Sequence, residues 1–286
     1  MQIGVSSHSY SKSLSLNGNV THYNIISTSK FIGFDNIEFT PLMPHNGMTK
    51  IEYARSLREH AKHLGIEISA YVVGAQLLQP DETATKAEIK RVCEELDVAA
   101  ELGVKLFRHD ACWTLEGRRS FDLALPEIAK NTREITKYAE SLGIKTMTEN
   151  HGYLAQGSER MEKLFNAVDH PNFGLLCDMG NFLCFDEDPV QAVARVAPYT
   201  IHVHAKDFIV NKKDICTEGS KWFKTRAGYN LLGVPVNEGS VPVEDCIKAL
   251  KKAGYDGCIN IEYEGELDSV TGIRRGFNNL KKILNK

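Results

Sequence analysis

Hydrophobic and polar positions repeat in the same order at four places along the chain. A helical pattern ends, a glycine follows and a β-rich run begins in HLGIEISAYVV from His63, ELGVKLFRHD from Glu101, SLGIKTMTEN from Ser141 and KAGYDGCINIEYEG from Lys252. Glycine suits the left-handed backbone just past a helix end, and a short apolar run after it is typical of a buried strand. The repeat predicts helices that alternate with strands.

This alternation extends over the whole chain. Strands are predicted at residues 2–8, 34–40, 67–73, 104–110, 145–150, 173–178, 199–206 and 258–264, with helices near 20–31, 48–64, 83–102, 120–142, 158–169, 189–197, 243–253 and 268–285. Eight such units without a linker favour the α/β class and a parallel (β/α)8 TIM barrel, as a single domain over residues 1–286. An open doubly wound sheet is the alternative, but it requires a glycine-rich turn where the chain reads SSHSYSKS.

Composition limits the class of protein further. Hydrophobic residues make up 42% of the 286 residues, and the net charge of −3 supplies no basic surplus for nucleic acid. No apolar stretch approaches the roughly 20 residues that span a membrane, and the start of the chain lacks the pattern of a secretory signal. Seven cysteines without a CxxC pair are typical of reduced thiols. We expect a cytoplasmic protein without nucleic-acid or membrane partners, and a homo-oligomer is compatible with this composition.

The segment IHVHAKD, residues 201–207, departs from the pattern of a fully apolar strand. The alternation of a strand places His202, His204 and Lys206 on one face. Two imidazoles and an ammonium do not form an apolar core, so this face points to a polar site. His202 lies one position deeper than His204, and we expect it to support that residue or to pack.

The fifth, sixth and eighth predicted strands end in carboxylates. TMTENHG contributes Glu149, LLCDMGN contributes Asp178 and CINIEYEG contributes Glu262. Each residue taken singly is more typical of a hydrogen-bonded polar group, but barrel active sites lie at these strand ends, where gathered carboxylates repel unless a cation neutralises them. We therefore predict one divalent metal ion, with Mn²⁺ preferred and Mg²⁺, Co²⁺ or Zn²⁺ as alternatives. Its predicted ligands are Glu149, Asp178, His204 and Glu262.

These motifs resemble the xylose-isomerase-like sugar isomerase/epimerase superfamily, which includes D-tagatose and D-psicose 3-epimerases, inosose dehydratases and endonuclease IV. The resemblance covers essentially the whole chain, from IGVSSHSY through GFDNIEFT to GYDGCINIEYEG. TENHG, CDMGN, HAKD and NIEYEG are similar to the four metal-binding motifs of that superfamily, which implies the same four ligands. Asn181 stands where many relatives have a histidine, and this favours a single metal over the three zinc ions of the nuclease.

The resemblance implies isomerisation or epimerisation of a ketose or related keto-polyol through a cis-enediolate. Glu149 and Glu262, on two sides of the sugar, would remove and return the proton. A lyase on the same metal site, by inosose dehydration or elimination from a 3-oxo-glycoside, shares the first step and is the alternative. An abasic-site endonuclease is disfavoured by charge and missing ligands, and a non-catalytic barrel is the fourth hypothesis.

Further residues are predicted to contact a small sugar or polyol substrate. The sequence leaves open which residue of the Arg108–His109 pair faces inward, and Trp113 is also compatible with a packing role. Trp222 and Arg226 belong to the long segment 208–241 after the seventh strand, which is either a lid or a surface loop. The predicted substrate contacts are Glu38, Arg108, His109, Trp113, His151, Lys206, Trp222 and Arg226.

Overall fold

A computed structural model describes residues 1–17, 20–45, 47–213 and 221–285. Eight of the strands in this described part run parallel and close into a barrel. They are β1 (Gln2–Ser6), β2 (Asn36–Phe39), β3 (Glu67–Val73), β4 (Leu106–His109), β5 (Lys145–Glu149), β6 (Phe173–Asp178), β7 (Thr200–Ala205) and β11 (Cys258–Ile261). Their order around the barrel is β1-β11-β7-β6-β5-β4-β3-β2, so the predicted (β/α)8 barrel is confirmed.

Helices follow the strands and cover the outside of the barrel. They are α1 (Ser11–Asn17), α2 (His22–Ile32), α3 (Lys50–Leu64), α4 (Glu82–Leu102), α5 (Phe121–Ser141), α6 (Ser158–Val168), α7 (Asn181–Cys184), α8 (Pro189–Val196), α9 (Val243–Lys252) and α10 (Ser269–Leu284). Gly65 and Gly103 end α3 and α4 with φ of 65° and 79°, the left-handed conformation that the glycine pattern predicts. None of the described helices is long and apolar enough to cross a membrane.

The main hydrophobic core lies between the barrel and its helices. Outward-facing strand residues such as Val5 and Ile37 pack there against helix residues such as Leu57 and Leu96. The barrel interior holds a smaller apolar cluster of Ala70, Met147 and Leu176. Towards the carboxyl ends of the strands the buried side chains inside the barrel are polar, and the candidate site lies there.

The first and the last predicted strands end earlier than the sequence pattern indicates. The first ends at Ser6, and Ser7–Tyr10 form a 3-10 helix in which the Ser6 side chain accepts from the His8 backbone N–H. The last ends at Ile261, so Glu262 and Glu264 lie in the loop that follows. Polar side chains at the barrel mouth therefore lie on a 3-10 helix after the first strand and on a loop after the last, instead of on a regular strand face.

The segment 208–241 is not an irregular loop. Its described part forms a three-stranded antiparallel sheet, whose first strand begins one residue earlier, at Asp207. The strand order is β8 (Asp207–Asn211), β10 (Asn230–Val234) and β9 (Phe223–Lys224). Phe208 and Leu231 are buried with Cys184 in a small core of their own. The Asp207 carboxylate accepts backbone N–H groups of Gly239 and Val241 and so fixes the returning chain. Residues 214–220 of the segment lie outside the described residues.

Candidate metal centre and active site

His204 lies at the centre of a buried polar cluster. It is on β7, and its Nε2 atom is 2.7 Å from Glu38 Oε1. Its Nδ1 atom faces the opposite way, 3.6 Å from Glu149 Oε1, 3.5 Å from Glu262 Oε2 and 3.9 Å from Asp178 Oδ2. Three carboxylates from three neighbouring chain segments thus converge on one imidazole nitrogen.

The ends of β5 and β6 hold two of these carboxylates in place. Asp178 Oδ1 accepts the backbone N–H groups of Gly180 and Asn181 at 2.8 and 2.9 Å, which turns Oδ2 towards the cluster. The Asn181 side chain donates to Glu149 Oε1 at 3.0 Å. Asn181 therefore positions a predicted ligand from the place where many relatives have a histidine. Glu262 is held by its backbone N–H, which donates to the Ala205 carbonyl at 3.1 Å.

The donor set fits a divalent cation. One ligand atom from each of Glu149, Asp178, His204 and Glu262 lies within 4.8 Å of the others. Asp178 Oδ2 and both ring nitrogens of His204 are buried without a hydrogen-bond partner, although Nε2 makes an ion-pair contact with Glu38 Oε1. At Asp178 Oδ2 and His204 Nδ1 this is a costly state that a bound cation would relieve. Three carboxylates and one imidazole suit Mn²⁺, Mg²⁺, Co²⁺ or Zn²⁺, so Mn²⁺ itself stays a prediction.

Arg108 supplies counter-charge on one side of the cluster. Its guanidinium Nη2 lies 2.7 Å from Glu149 Oε2 and 2.6 Å from Asp110 Oδ1, and its side chain is only 5% exposed. Burial alone would raise the pKa of Glu149, but the charges of Arg108 and His204 outweigh it and lower that pKa to about 2. Glu149 is therefore ionised at neutral pH.

Lys206 supplies counter-charge on the other side. Its Nζ atom lies 2.6 Å from Glu262 Oε2, 3.1 Å from Glu264 Oε1 and 3.5 Å from Asp178 Oδ2. Burial opposes ionisation of Glu262, yet Lys206 and His204 hold the pKa of that carboxyl well below its usual range. Burial dominates at Asp178 and raises its pKa to about 6. The two glutamates are thus stronger acids than the aspartate.

The negative charge of the cluster exceeds its permanent positive charge. Among the described residues, the permanent cations that contact its carboxylates are Arg108 and Lys206. Four imidazoles also contact them, and these are charged only when protonated. A divalent ion would reduce the remaining repulsion. The carboxylates concerned are Glu38, Asp110, Glu149, Asp178, Glu262 and Glu264.

A cavity of about 320 Å³ opens directly above the cluster, within the range of small-ligand sites. A smaller one of about 130 Å³ adjoins it and shares Trp113, His151, Lys206 and Glu264 with it. His8 lines the larger cavity with its Nε2 atom 3.2 Å from Glu264. The larger cavity is also lined by Thr40, Pro41, Val72, Val73, Gly74, Arg108, Asp110, Glu149 and Glu262.

His151 and Trp113 form one wall shared by both cavities. His151 Nδ1 lies 3.1 Å from Arg108 Nη2 and 3.2 Å from Asp110 Oδ1. The Trp113 ring meets the His151 ring edge to face, with 4.7 Å between centroids, and remains 46% exposed. Gly152 makes room for it, since a Cβ atom there would lie 3.1 Å from the indole. This wall presents an aromatic edge and an imidazole to a ligand.

Four of the predicted substrate contacts line neither cavity. His109 is fully buried and its Nδ1 atom lies 2.9 Å from the Asp110 carbonyl, so Arg108 is the residue of that pair that faces inward. Arg226 lies 4.5 Å over the Phe185 ring and lines a separate pocket of about 370 Å³. Glu38 is fully buried beneath His204. Trp222 immediately precedes β9, whose Phe223 lines the smaller cavity.

Asp110 is the main site residue that sequence reasoning missed. Its carboxylate joins Arg108 to His151, and its Oδ2 atom is buried without a hydrogen-bond partner. A signal was present, because Arg108 and Asp110 are two positions apart in LFRHD and so share one face of an extended segment. Phe208 and Phe223 of the small sheet, which line the smaller cavity, had no comparable spacing in the sequence to indicate a place in the site.

A closed parallel barrel with a buried centre of three carboxylates and one histidine at its mouth defines a TIM-barrel protein with a candidate divalent-metal site. The chain belongs to the xylose isomerase-like TIM barrel family, whose model matches residues 27–283. The sequence resemblance to this superfamily is thereby confirmed.

Individual relatives are distant. The chain is 25% identical over 234 residues to the rhizopine catabolism protein MocC of Rhizobium meliloti, which covers 77% of this chain and 70% of MocC. It is 30% identical over 142 residues to an inosose dehydratase of Clostridium botulinum, covering 48% of this chain and 46% of that enzyme. The chain thus matches less than half of the length of that dehydratase.

Solved structures show the same fold. The IOLI protein with a bound zinc atom aligns with a TM-score of 0.78 at 16% identity and covers 100% of this chain and 98% of its own. A D-tagatose 3-epimerase-like protein aligns with a TM-score of 0.70 at 23% identity, covering 100% and 97%. At these identities the alignments establish the fold.

Proposed function

We propose that this protein is a divalent-metal-dependent isomerase or epimerase that acts on a ketose or related keto-polyol. The observation that carries the proposal is the paired arrangement of Glu149 and Glu262. Each glutamate contributes one oxygen to the metal-ligand cluster, and each lies within 2.7 Å of its own buried cation, Arg108 or Lys206. Both are therefore available as carboxylate bases at neutral pH.

In the proposed mechanism the two glutamates move one proton between two faces of a substrate. A divalent ion held by the cluster would polarise a ketone and its neighbouring hydroxyl, and so acidify the C–H bond between them. Glu149 ends β5 and Glu262 follows β11, with β6 and β7 between them in the barrel. One carboxylate removes the proton and the other returns one to the opposite face, or to the adjacent carbon for isomerisation.

The residues around the glutamates support this proton transfer. The Lys206 ammonium and the His151 imidazole both line the cavity, where they stabilise negative charge that develops on substrate oxygens. Trp113 offers an apolar surface to the carbon skeleton of a sugar, as aromatic rings at ligand sites commonly do. The substrate contacts among these residues are part of the proposal.

A lyase is the second candidate, and the match to an inosose dehydratase favours it. Loss of a hydroxyl group begins with the same removal of a proton next to a ketone. It then requires an acid for the departing oxygen, and we assign this role to His151, which lines both cavities and is 34% exposed. The two candidates differ in product and not in the first step.

Incubation with a panel of ketoses and keto-inositols in D₂O tests the proposal and separates the candidates. An isomerase or epimerase gives a product of unchanged elemental composition that carries deuterium at the carbon where the proton was returned. A lyase gives a product that has lost one water. The metal-depleted protein is the matched control and should be inactive. A product without solvent deuterium would contradict the two-glutamate mechanism.

A further inference from the structure

We propose that Glu38 is a positioning residue, whose carboxylate orients His204 so that its Nδ1 atom faces the metal ion. The inference rests on the metal site of the proposed function. It assigns to Glu38 a role different from the sugar contact that the sequence predicts. It also explains why a carboxylate is buried below the cluster, out of reach of a substrate.

Glu38 lies deep in the barrel and contacts two imidazoles at once. It is on β2 and has no exposed surface. One carboxylate oxygen, Oε1, is 2.7 Å from His204 Nε2, and the other, Oε2, is 2.8 Å from His202 Nε2. Neither cavity at the barrel mouth is lined by Glu38. Its carboxylate therefore acts on a substrate only through His204.

The Glu38 carboxylate is itself held by neighbouring strands. Asn260 Nδ2 on β11 lies 3.2 Å from Glu38 Oε2 and 3.0 Å from Ser69 Oγ on β3. A Cβ atom at Gly4 would lie 2.1 Å from Asn260 Oδ1, so β1 leaves space for this amide by having no side chain there. Three strands besides β2, namely β3, β7 and β11, thus contribute polar groups to one enclosed network, which gives the carboxylate a fixed position.

The position of Glu38 decides which nitrogen of His204 is available to a metal. A carboxylate beside one ring nitrogen fixes the proton on that nitrogen and leaves the lone pair of the other free for coordination. Here the carboxylate lies at Nε2, and the nitrogen that faces Glu149, Asp178 and Glu262 is Nδ1. Glu38 contacts His204 and lines neither cavity, so it orients His204 whether or not a substrate is bound. Its effect should therefore appear in the affinity of the protein for the metal ion.

Calorimetric titration with Co²⁺ tests this role in the metal-depleted protein. Glu38→Gln keeps the size of the side chain and removes its charge, and we expect the Kd for Co²⁺ to rise by about 10–100-fold, as for other residues that support metal-binding histidines. Glu95→Gln is the matched control, because Glu95 is also a buried carboxylate but accepts from the Tyr71 hydroxyl at 2.7 Å, outside the ligand cluster. The control should bind Co²⁺ like the wild type.

Proton NMR of the Co²⁺-loaded protein gives a readout that a general loss of stability does not produce. The His204 Nε2–H should appear in the wild type as a paramagnetically shifted, slowly exchanging resonance, and it should exchange faster in Glu38→Gln. Glu38→Asp keeps the charge but withdraws it from His204, and it should give an intermediate Kd. If Glu38→Gln does not fold, Glu38→Asp decides by the same two measurements.

The outcomes separate this inference from the proposed function. Equal Co²⁺ affinity and equal exchange in the wild type and the Glu38 variants overturn the positioning role and leave the proposed function intact. A wild type that binds no divalent ion overturns both. Weaker binding in Glu38→Gln, with no turnover of any ketose by the wild type, supports the positioning role and contradicts the proposed function.

Discussion

The two halves of the barrel contribute differently to the candidate site. The half formed by β5, β6, β7 and the segment after β11 carries the four side chains that converge as predicted metal ligands. The half formed by β1–β4 carries residues that contact those ligands, with Glu38 beside His204 and Arg108 beside Glu149. The first half presents the donor atoms and supplies Lys206 and Asn181 as supports of its own. The second half adds Glu38 and Arg108, which contact the donor residues from the other side.

Two buried histidines show the same difference. His109 on β4 and His204 on β7 both have no exposed surface. Burial lowers the pKa of His109 to about 4, since its nearest polar contact is a backbone carbonyl. Burial also opposes protonation of His204, but Glu38 and Glu262 outweigh it and raise the pKa well above the usual value. The carboxylates around His204, more than its burial, distinguish this predicted ligand from His109.

The first prediction removes a donor from the ligand half. Asp178→Ala or His204→Ala deletes one of four predicted ligands, and we expect the protein to lose its divalent ion on dialysis and to lose detectable turnover. Metal analysis of the purified variants beside the wild type measures the effect. Full metal occupancy in both variants would show that these four residues are not the ligands.

The second prediction separates the proton-transfer role from metal binding. Glu149→Gln and Glu262→Gln keep a ligand oxygen but remove the base, so each should lower kcat by about 10²–10⁴-fold. Deuterium incorporation from D₂O should fall in parallel, while metal content falls less than in Asp178→Ala. A variant that retains wild-type exchange would exclude that glutamate as a base.

The third prediction tests the supporting half through Arg108. Arg108→Met leaves Glu149 and Asp110 buried without their cation, and breaking a buried pair in this way costs about 3–5 kcal/mol. Urea unfolding of the metal-depleted protein measures the loss. Arg55→Met is the matched control, because Arg55 pairs with Glu101 at the surface, where its side chain is 55% exposed. Solvent screens such an exposed pair, so its loss should be much smaller, and equal losses would contradict the role given to Arg108.

The sequence predicted the ligand half better than the supporting half. Helix-ending glycines and short apolar runs located the barrel strands, because parallel strands buried on both faces have a strong local pattern. The ends of those strands then indicated Glu149, Asp178, His204 and Glu262. Local patterns extend along one strand, and four strand ends were enough to propose a shared site.

Contacts between strands distant in sequence were not predictable in the same way. Glu38 and His204 are 2.7 Å apart because side chains of β2 and β7 meet inside the barrel, although β1 and β11 lie between these strands. No spacing in the sequence records that distance. The small antiparallel sheet was missed because β8 and β10 have five residues each and β9 has two. Short strands without a preceding helix leave too few positions to show a period.

The fourth prediction uses His109, the packing counterpart of His204. Its folded pKa of about 4 lies below the unfolded value of 6.5, so the unfolded state binds the additional proton between those values. Stability should therefore be lost as pH falls from 6.5 towards 4, by at most about 3 kcal/mol for this residue. Urea unfolding at pH 7 and pH 5 should show a smaller loss in His109→Gln than in the wild type. The exposed His63 supplies the control, and His63→Gln should keep the wild-type loss.

The last and smallest predicted effect concerns the small sheet that follows β7. Phe223 lines the smaller cavity and packs against Phe208 with 5.4 Å between ring centroids, whereas Arg226 lies over Phe185 in a separate pocket. Phe223→Ala removes an apolar contact near the substrate, so KM should rise about tenfold with the metal retained. Arg226→Ala should change KM by less than about twofold, as expected for a substitution outside the site. Steady-state kinetics on the identified substrate decide between them. If Arg226→Ala has the larger effect, the sheet closes over the substrate differently, and the sugar contact predicted for Arg226 from the sequence would hold.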